Sequence, residues 1–200
     1  MRPTQSSVGA GSLRISELQF DNRNLRDLPY DQSTKESRPV NNAVWARTSL
    51  QPIRKPYVVA YSEDALSLLG VDPELIDEKE IETYLSGNEA IPNSGCQPYA
   101  HCYCGHQFGS FAGQLGDGAA MYLGEVESGG MRYELTLKGS GKTAFSRRSD
   151  GRKVLRSSIR EFLGSEANHH LGIPTTRSGS CVTSTSTVQR DPFYDGHVME

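Results

Sequence analysis

The sequence predicts an α+β fold in which an antiparallel sheet is followed by one long helix. Three observations predict it. Gly113-Gln114-Leu115-Gly116-Asp117-Gly118 is a glycine-rich stretch directly before a strand. Two alternating segments, Ala119–Glu127 and Met131–Lys138, are joined through Ser128-Gly129-Gly130, the signature of a tight hairpin. A basic loop then leads through Asp150-Gly151 into a helical segment from Arg152 to Leu171, stopped by Gly172 and Pro174.

Two hundred residues suffice for one domain, or for one lobe plus a tail. The longest apolar run, Tyr57-Val58-Val59-Ala60-Tyr61, is strand-sized and far short of a membrane span, so no membrane partner is expected. The net charge of −3 hides an asymmetry. From Glu63 to Glu89 there are nine carboxylates against Lys79 alone, whereas from Lys138 to Arg160 there are eight Lys or Arg against Asp150 alone. A local basic surface on an acidic chain suits a phosphate ligand rather than nucleic acid, whose binders are basic overall. Four cysteines (Cys96, Cys102, Cys104, Cys181) are too few for a disulfide framework at this length and read as free thiols.

In chain order, residues 1–17 read as a disordered or targeting tail and residues 18–200 as the lobe. The first sixteen residues hold two arginines and no acid, a pattern open to either reading of the tail. Leu18, Phe20, Leu25 and Leu28 form an apolar cluster closed by Pro29, and a polar linker runs to Asn42. Val44–Arg47 and Tyr57–Tyr61 are strand candidates. Ser62 caps a helix through Leu69, stopped by Gly70, and Asp72-Pro73 opens a second helix through Leu85. Ile91–Ser110 reads as a loop rich in Pro, Gly, Cys and His. A strand is expected near Gly179–Thr185. The chain ends at His197-Val198-Met199-Glu200 with no closing helix.

Glycines before a strand let backbone amides approach phosphate oxygens, although a tight surface turn has the same composition. Alternation places Tyr133, Leu135 and Leu137 on one face of the second hairpin strand and Arg132, Glu134, Thr136 and Lys138 on the other. Lys138 therefore ends a polar face beside the strand that leaves the glycine stretch, a position open to an ammonium that reaches phosphates and to an ordinary solvent lysine at a strand end. Glycine loop, strand-end lysine and helix follow in the order used by a protein-kinase-like N-terminal lobe. Asp150 is placed to cap the helix, to hydrogen-bond a ribose or an adenine amino group, or to do both. Two helix carboxylates compete to pair with Lys138. Glu161 shares its face with Ser157, Ser158, Gly164, Ser165 and Asn168. Glu166 lies in line with Leu155, Ile159 and Phe162, and a carboxylate on a buried stripe needs a partner. Periodicity slightly prefers Glu166. His101-Cys102-Tyr103-Cys104-Gly105-His106 has Cys-x-Cys spacing and no second pair downstream, a poor match to zinc sites, so a packed loop is expected.

Several strings together resemble the selenoprotein O family: Tyr103–Gly109, Gly113–Gly118, Leu137-Lys138-Gly139, Ser149–Arg152, Val154–Leu163 and Leu171–Arg177. The resemblance covers roughly residues 20–200, and the Cys-Tyr-Cys-Gly-His form is similar to animal members, which implies mitochondria, with the cytoplasm as the other location. It implies a protein-kinase-like fold and an ATP- and Mg2+-dependent transfer of AMP to Ser, Thr or Tyr of protein substrates. It further implies that Gly116, Gly118, Ala119, Lys138, Asp150 and Gly151 bind ATP, in an orientation flipped relative to kinases, and that Glu161 rather than Glu166 pairs with Lys138. At Ala119 bacterial members typically carry arginine, so that side-chain contact is missing. The family's catalytic aspartate, its metal ligands and the rest of the catalytic lobe are expected beyond Glu200, leaving no catalytic or metal-ligating residue within the chain. A non-catalytic ATP- or phosphate-binding or interaction module is the alternative.

Overall fold

The computed structural model describes residues 12–190 and the backbone of 197–199. A 3-10 turn, Ile15–Glu17, precedes α1 (Arg23–Asp27), β1 (Tyr30–Asp31), β2 (Trp45–Arg47) and β3 (Tyr57–Tyr61). Helix α2 (Glu63–Ser67) starts where Ser62 accepts the Ala65 amide. The continuous helix expected from Asp72 to Leu85 is instead broken. Asp72 caps a 3-10 turn, Pro73–Leu75, and Asp77 caps again to start α3 (Glu78–Glu80), which runs on into a π turn, Ile81–Leu85. Each aspartate accepts a backbone amide two residues on, and this local bond ends one turn and begins the next.

The remaining elements are β4 (Tyr99–Gln107), β5 (Ser110–Gly116), β6 (Ala120–Ser128), β7 (Met131–Lys138), α4 (Leu155–His170), β8 (Ser180–Thr183), β9 (Thr187–Gln189) and β10 (His197–Met199). The main sheet has the order β1-β2-β4-β6-β7, with β5 attached to β4. All its pairings are antiparallel except β1 with β2. Strands β3 and β8 form a second ladder, and β9 pairs with β10. The β6–β7 turn is the expected two-residue loop, with Gly129 and Gly130 at positive φ.

Strand β4 occupies the stretch expected to be a loop. Its composition carries no strand signal, yet β2 and β5 both bond to it. It meets β6 at Tyr99↔Tyr122 alone and then departs with β5 as a separate hairpin, from Cys102↔Gly116 onward.

The alternation expected in β7 sends Tyr133 and Leu135 towards the main core, with Ile15, Leu18, Leu66, Val71, Ile81 and Val126, and Leu137 towards Met121 and Leu123. Leu13 bridges to Val71 and Ile15 is fully buried, so packed structure reaches into the stretch read as a tail. In β6 a bulge between Tyr122 and Gly124 resets the alternation: Val126 joins the core, and Glu125 turns to the opposite face although it is 2% exposed. Phe20 and Asn22 lie so close to Gly124 that a Cβ there would be 2.4 Å from the Phe20 ring.

Candidate functional site

Lys138 closes β7 opposite Ala120, and Gly139 N donates to Ala119 O at 2.7 Å. Its ammonium lies 3.8 Å from Glu161 Oε1 on α4, both side chains being about half exposed. Glu166 has a different role. It accepts Arg177 Nε and an Arg177 terminal nitrogen at 2.9 and 2.8 Å, Ser178 N at 3.0 Å and Ser62 Oγ at 3.2 Å. The hydrogen bonds and charge of Arg177 outweigh burial and hold its carboxyl down to about 2. The partner that a carboxylate on that stripe demands is thus Arg177. Helix α4 is pinned through Glu166, and through Ser165 Oγ donating to Thr176 O, while Glu161 faces the lysine.

The glycines before β6 have a packing role as well. A Cβ on Gly116 would sit 2.2 Å from the Phe145 ring, and one on Gly118 would sit 2.8 Å from Phe145 O. Two amides of this turn are spent internally: Asp117 N donates to His101 O at 3.0 Å and Gly118 N to Gly116 O at 2.9 Å. The basic loop locks onto the turn through Thr143 Oγ1 donating to Asp117 O and Ser146 Oγ donating to Gly118 O, both at 2.6 Å.

Asp150 does not cap α4. It accepts Arg152 N at 3.0 Å in a local turn, and the helix starts at Leu155 behind Val154, which supplies no side-chain cap. Both its oxygens are also taken by Arg190, at 2.6 and 2.8 Å. Burial alone would raise the Asp150 carboxyl, but the Arg190 hydrogen bonds, the Arg152 amide and the Arg190 charge hold it below its ordinary value. Gly151 has φ +72, and a Cβ there would lie 2.0 Å from Gly141 O. Only glycine permits this crossing.

These contacts leave a cavity of about 250 Å³ lined by Tyr103, Gly116, Gly118, Ala119, Phe145 and Arg147, among others. Lys138, Asp150, Gly151 and Glu161 lie outside its lining. Complete small-molecule sites run to about 300–1,000 Å³, so this cavity is smaller than most of them. A second cavity of about 210 Å³ lies beside it, behind Leu115, Phe145 and Arg147, with Ser37, Arg38 and Gln114 on its far side. Sequence reasoning missed Phe145, Tyr103 and Arg190. The glycines at 116 and 118 did signal close approach, but of a ring of this chain. Among the described residues no group of three or more His, Cys, Asp or Glu is arranged to hold a metal ion. In the Cys-x-Cys segment, His101 turns to Glu134 while Cys102 accepts Gln114 Nε2 at 3.4 Å. No helix among the described residues is long and apolar enough to cross a membrane.

The architecture is that of a mixed α+β protein, with a mainly antiparallel sheet whose terminal lysine meets a carboxylate of a following helix. The chain belongs to the family described as protein adenylyltransferase SelO, whose family model matches residues 30–197. It is 58% identical over 195 residues to the mouse (Mus musculus) "Protein adenylyltransferase SelO, mitochondrial", covering 92% of this chain and 29% of that protein. The human (Homo sapiens) protein of the same name is 58% identical over 193 residues, with the same coverage. A bacterial relative from Azoarcus sp., "Protein nucleotidyltransferase YdiU", is 53% identical over 182 residues, covering 90% of this chain and 35% of its own length. The chain thus spans about a third or less of these relatives.

Proposed function

We propose that this chain is the protein-kinase-like, nucleotide-binding N-terminal lobe of a mitochondrial protein adenylyltransferase. The observation that carries the reading is the approach of Lys138 to Glu161 at 3.8 Å, next to the cavity lined by Gly116, Gly118 and Ala119. ATP is the nucleotide, and Ser, Thr or Tyr hydroxyls of proteins are the acceptors. In the reaction an acceptor oxygen forms a bond to the α-phosphorus, the bond from that phosphorus to the α–β bridging oxygen breaks, and pyrophosphate leaves. The hydroxyl proton passes to an aspartate in the part of the family protein beyond the matched third, where the Mg2+ ligands also belong.

The residues of this chain bind and orient. The Lys138 ammonium neutralises phosphate oxygens, and Glu161 holds it in that direction. Gly116 and Gly118 let Phe145 pack against the turn that borders the cavity. Asp150, fixed by Arg190, presents a carboxylate to the ribose or adenine, and Gly151 allows the turn that carries it.

Calorimetry with ATP on this chain tests the lobe. Lys138→Ala is expected to weaken binding at least about tenfold, as loss of a charge-assisted contact does, with an unchanged unfolding midpoint. Equal affinity of wild type and variant would remove Lys138 from the site. In the complete family protein, protein labelling from α-labelled but not γ-labelled ATP is the expected result, and the reverse would make it a phosphotransferase.

A further inference from the structure

The face of the sheet opposite the main core holds a polar cluster that nucleotide binding does not use. His101 sits where β4 leaves β6 and enters the hairpin with β5. Its ring packs on Tyr122 at 4.3 Å and on Tyr99 at 5.5 Å, and its Nε2 faces Glu134 Oε1 at 3.5 Å. The same Glu134 oxygen accepts Tyr99 Oη at 2.7 Å and Asn24 Nδ2 at 2.9 Å. The His101 backbone is tied to Asp117 at the other end of the hairpin: its N–H donates to Asp117 Oδ2 at 3.1 Å, and its carbonyl accepts Asp117 N at 3.0 Å. One residue therefore joins β7, through its ring, to both ends of the β4–β5 hairpin.

We propose that the His101–Glu134 contact is a protonation-sensitive hinge that sets how firmly the β4–β5 hairpin is held to the main sheet. With the imidazolium present, Nε2–H donates to the Glu134 carboxylate and the fork is held by an ion pair. When the proton leaves, the charge attraction disappears and the hairpin is held by its backbone bonds, ring packing and the Gln114 and Thr143 contacts. The hairpin carries Tyr103, Gln107, Leu115 and Gly116 of the cavity wall, so the same proton governs how well that wall is formed.

The groups facing His101 favour the charged form. They are Glu134 on β7, Glu125 and Tyr122 on β6 and Asp117 at the end of the hairpin, with Tyr99 on its own strand. The one cation of the cluster, Arg132, is spent on Asp21 at 2.6 Å, Glu127 at 3.1 Å and Glu125 at 3.4 Å. Nε2 is buried without a formed hydrogen bond and has the Glu134 carboxylate 3.5 Å away; that carboxylate, partly opposed by burial, raises the His101 pKa, with further support from the charges of Asp117 and Glu125. The contribution of a raised imidazole is complete below its unfolded value and is lost as pH rises through its folded value. Loosening therefore lies on the alkaline side.

The test needs no ligand. The His101 ring resonances and the amide protection factors of Cys102, Cys104, Gln114 and Leu115 are followed by NMR in this chain between about pH 6 and 9, the window of a raised imidazole. Hairpin protection is expected to fall with the His101 titration while that of Met121–Leu137 holds. The fall is about tenfold for each pKa unit between the His101 midpoints of wild type and Glu134→Gln. In His101→Gln the pH step disappears, and in Glu134→Gln it shrinks to what Asp117 and Glu125 sustain. Hairpin protection that stays constant through the wild-type titration overturns the proposal, as does a step that persists in His101→Gln. Wild-type data alone decide the question if either variant fails to fold.

Discussion

Replacing Glu166 by glutamine separates the structural carboxylate of α4 from the one beside Lys138. Glu166 and Arg177 are 13% and 14% exposed, and the carboxyl is held at about 2 against an ordinary 4.5. At about 1.4 kcal/mol per pKa unit, that difference corresponds to about 3 kcal/mol. Glutamine keeps the shape but leaves the Arg177 charge mostly buried without its counter-ion, so Glu166→Gln should cost about 2–4 kcal/mol near neutral pH. The sign with pH follows from a depressed carboxyl. Its contribution is complete above about pH 5 and drains away as pH falls towards 2, where variant and wild type converge. Urea unfolding followed by the fluorescence of Trp45, the single tryptophan and 2% exposed, reads this directly. The midpoint should drop by about 1–2 M near neutral pH, taking about 2 kcal/mol per molar for a small protein. A shift below about 0.3 M, or one equally large near pH 2, would refute the buried clamp. Glu161→Gln is the control: its partner is 3.8 Å away and both groups are half in water, so its stability should change by less than about 1 kcal/mol.

Gly151→Ala should lower stability by about 2 kcal/mol or more, because a left-handed φ and a backbone oxygen 2.0 Å from the new Cβ both oppose it. Thermal unfolding beside Gly129→Ala, whose added Cβ meets open space, checks this, and equal losses would show that φ alone matters. Burial pushes the Cys96 thiol up to about 11, whereas Cys104 is exposed, so mild alkylation near pH 8 should mark Cys104 well before Cys96. Peptide mass spectrometry gives the order, and labelling of Cys96 at the Cys104 rate would contradict it.

The elements legible in the sequence are those with local causes. The β6–β7 hairpin follows from Gly129-Gly130 between alternating strands, and α2 from Ser62 and Gly70. Helix α4 was visible, but its start moves to Leu155 because Asp150 is taken by Arg152 N and Arg190 rather than by a helix amide. Strand β4 was hidden, since its cysteines, histidines and glycine become a strand only when β2 and β5 bond to it. The bulge that buries Glu125 depends on Phe20 and Asn22, about a hundred residues earlier, and no window along the chain contains both. For Glu166, periodicity showed the need for a partner but not which one. The carboxylate near Lys138 was chosen by family resemblance, and the geometry shows why periodicity pulled the other way: the stripe holding Glu166 is the side of α4 that Arg177 and Ser62 pin down.

Phe145 stands between two cavities: its ring fills the space beside Gly116, and its backbone carbonyl fills that beside Gly118. One ring is therefore a removable partition. Alanine at 145 would remove a ring that also packs with Val40, Ala46 and Ala100, while the bonds from the Thr143 and Ser146 side chains to the Asp117 and Gly118 carbonyls do not involve that ring. Position 145 is thus where a single side chain sets the size of both cavities at once.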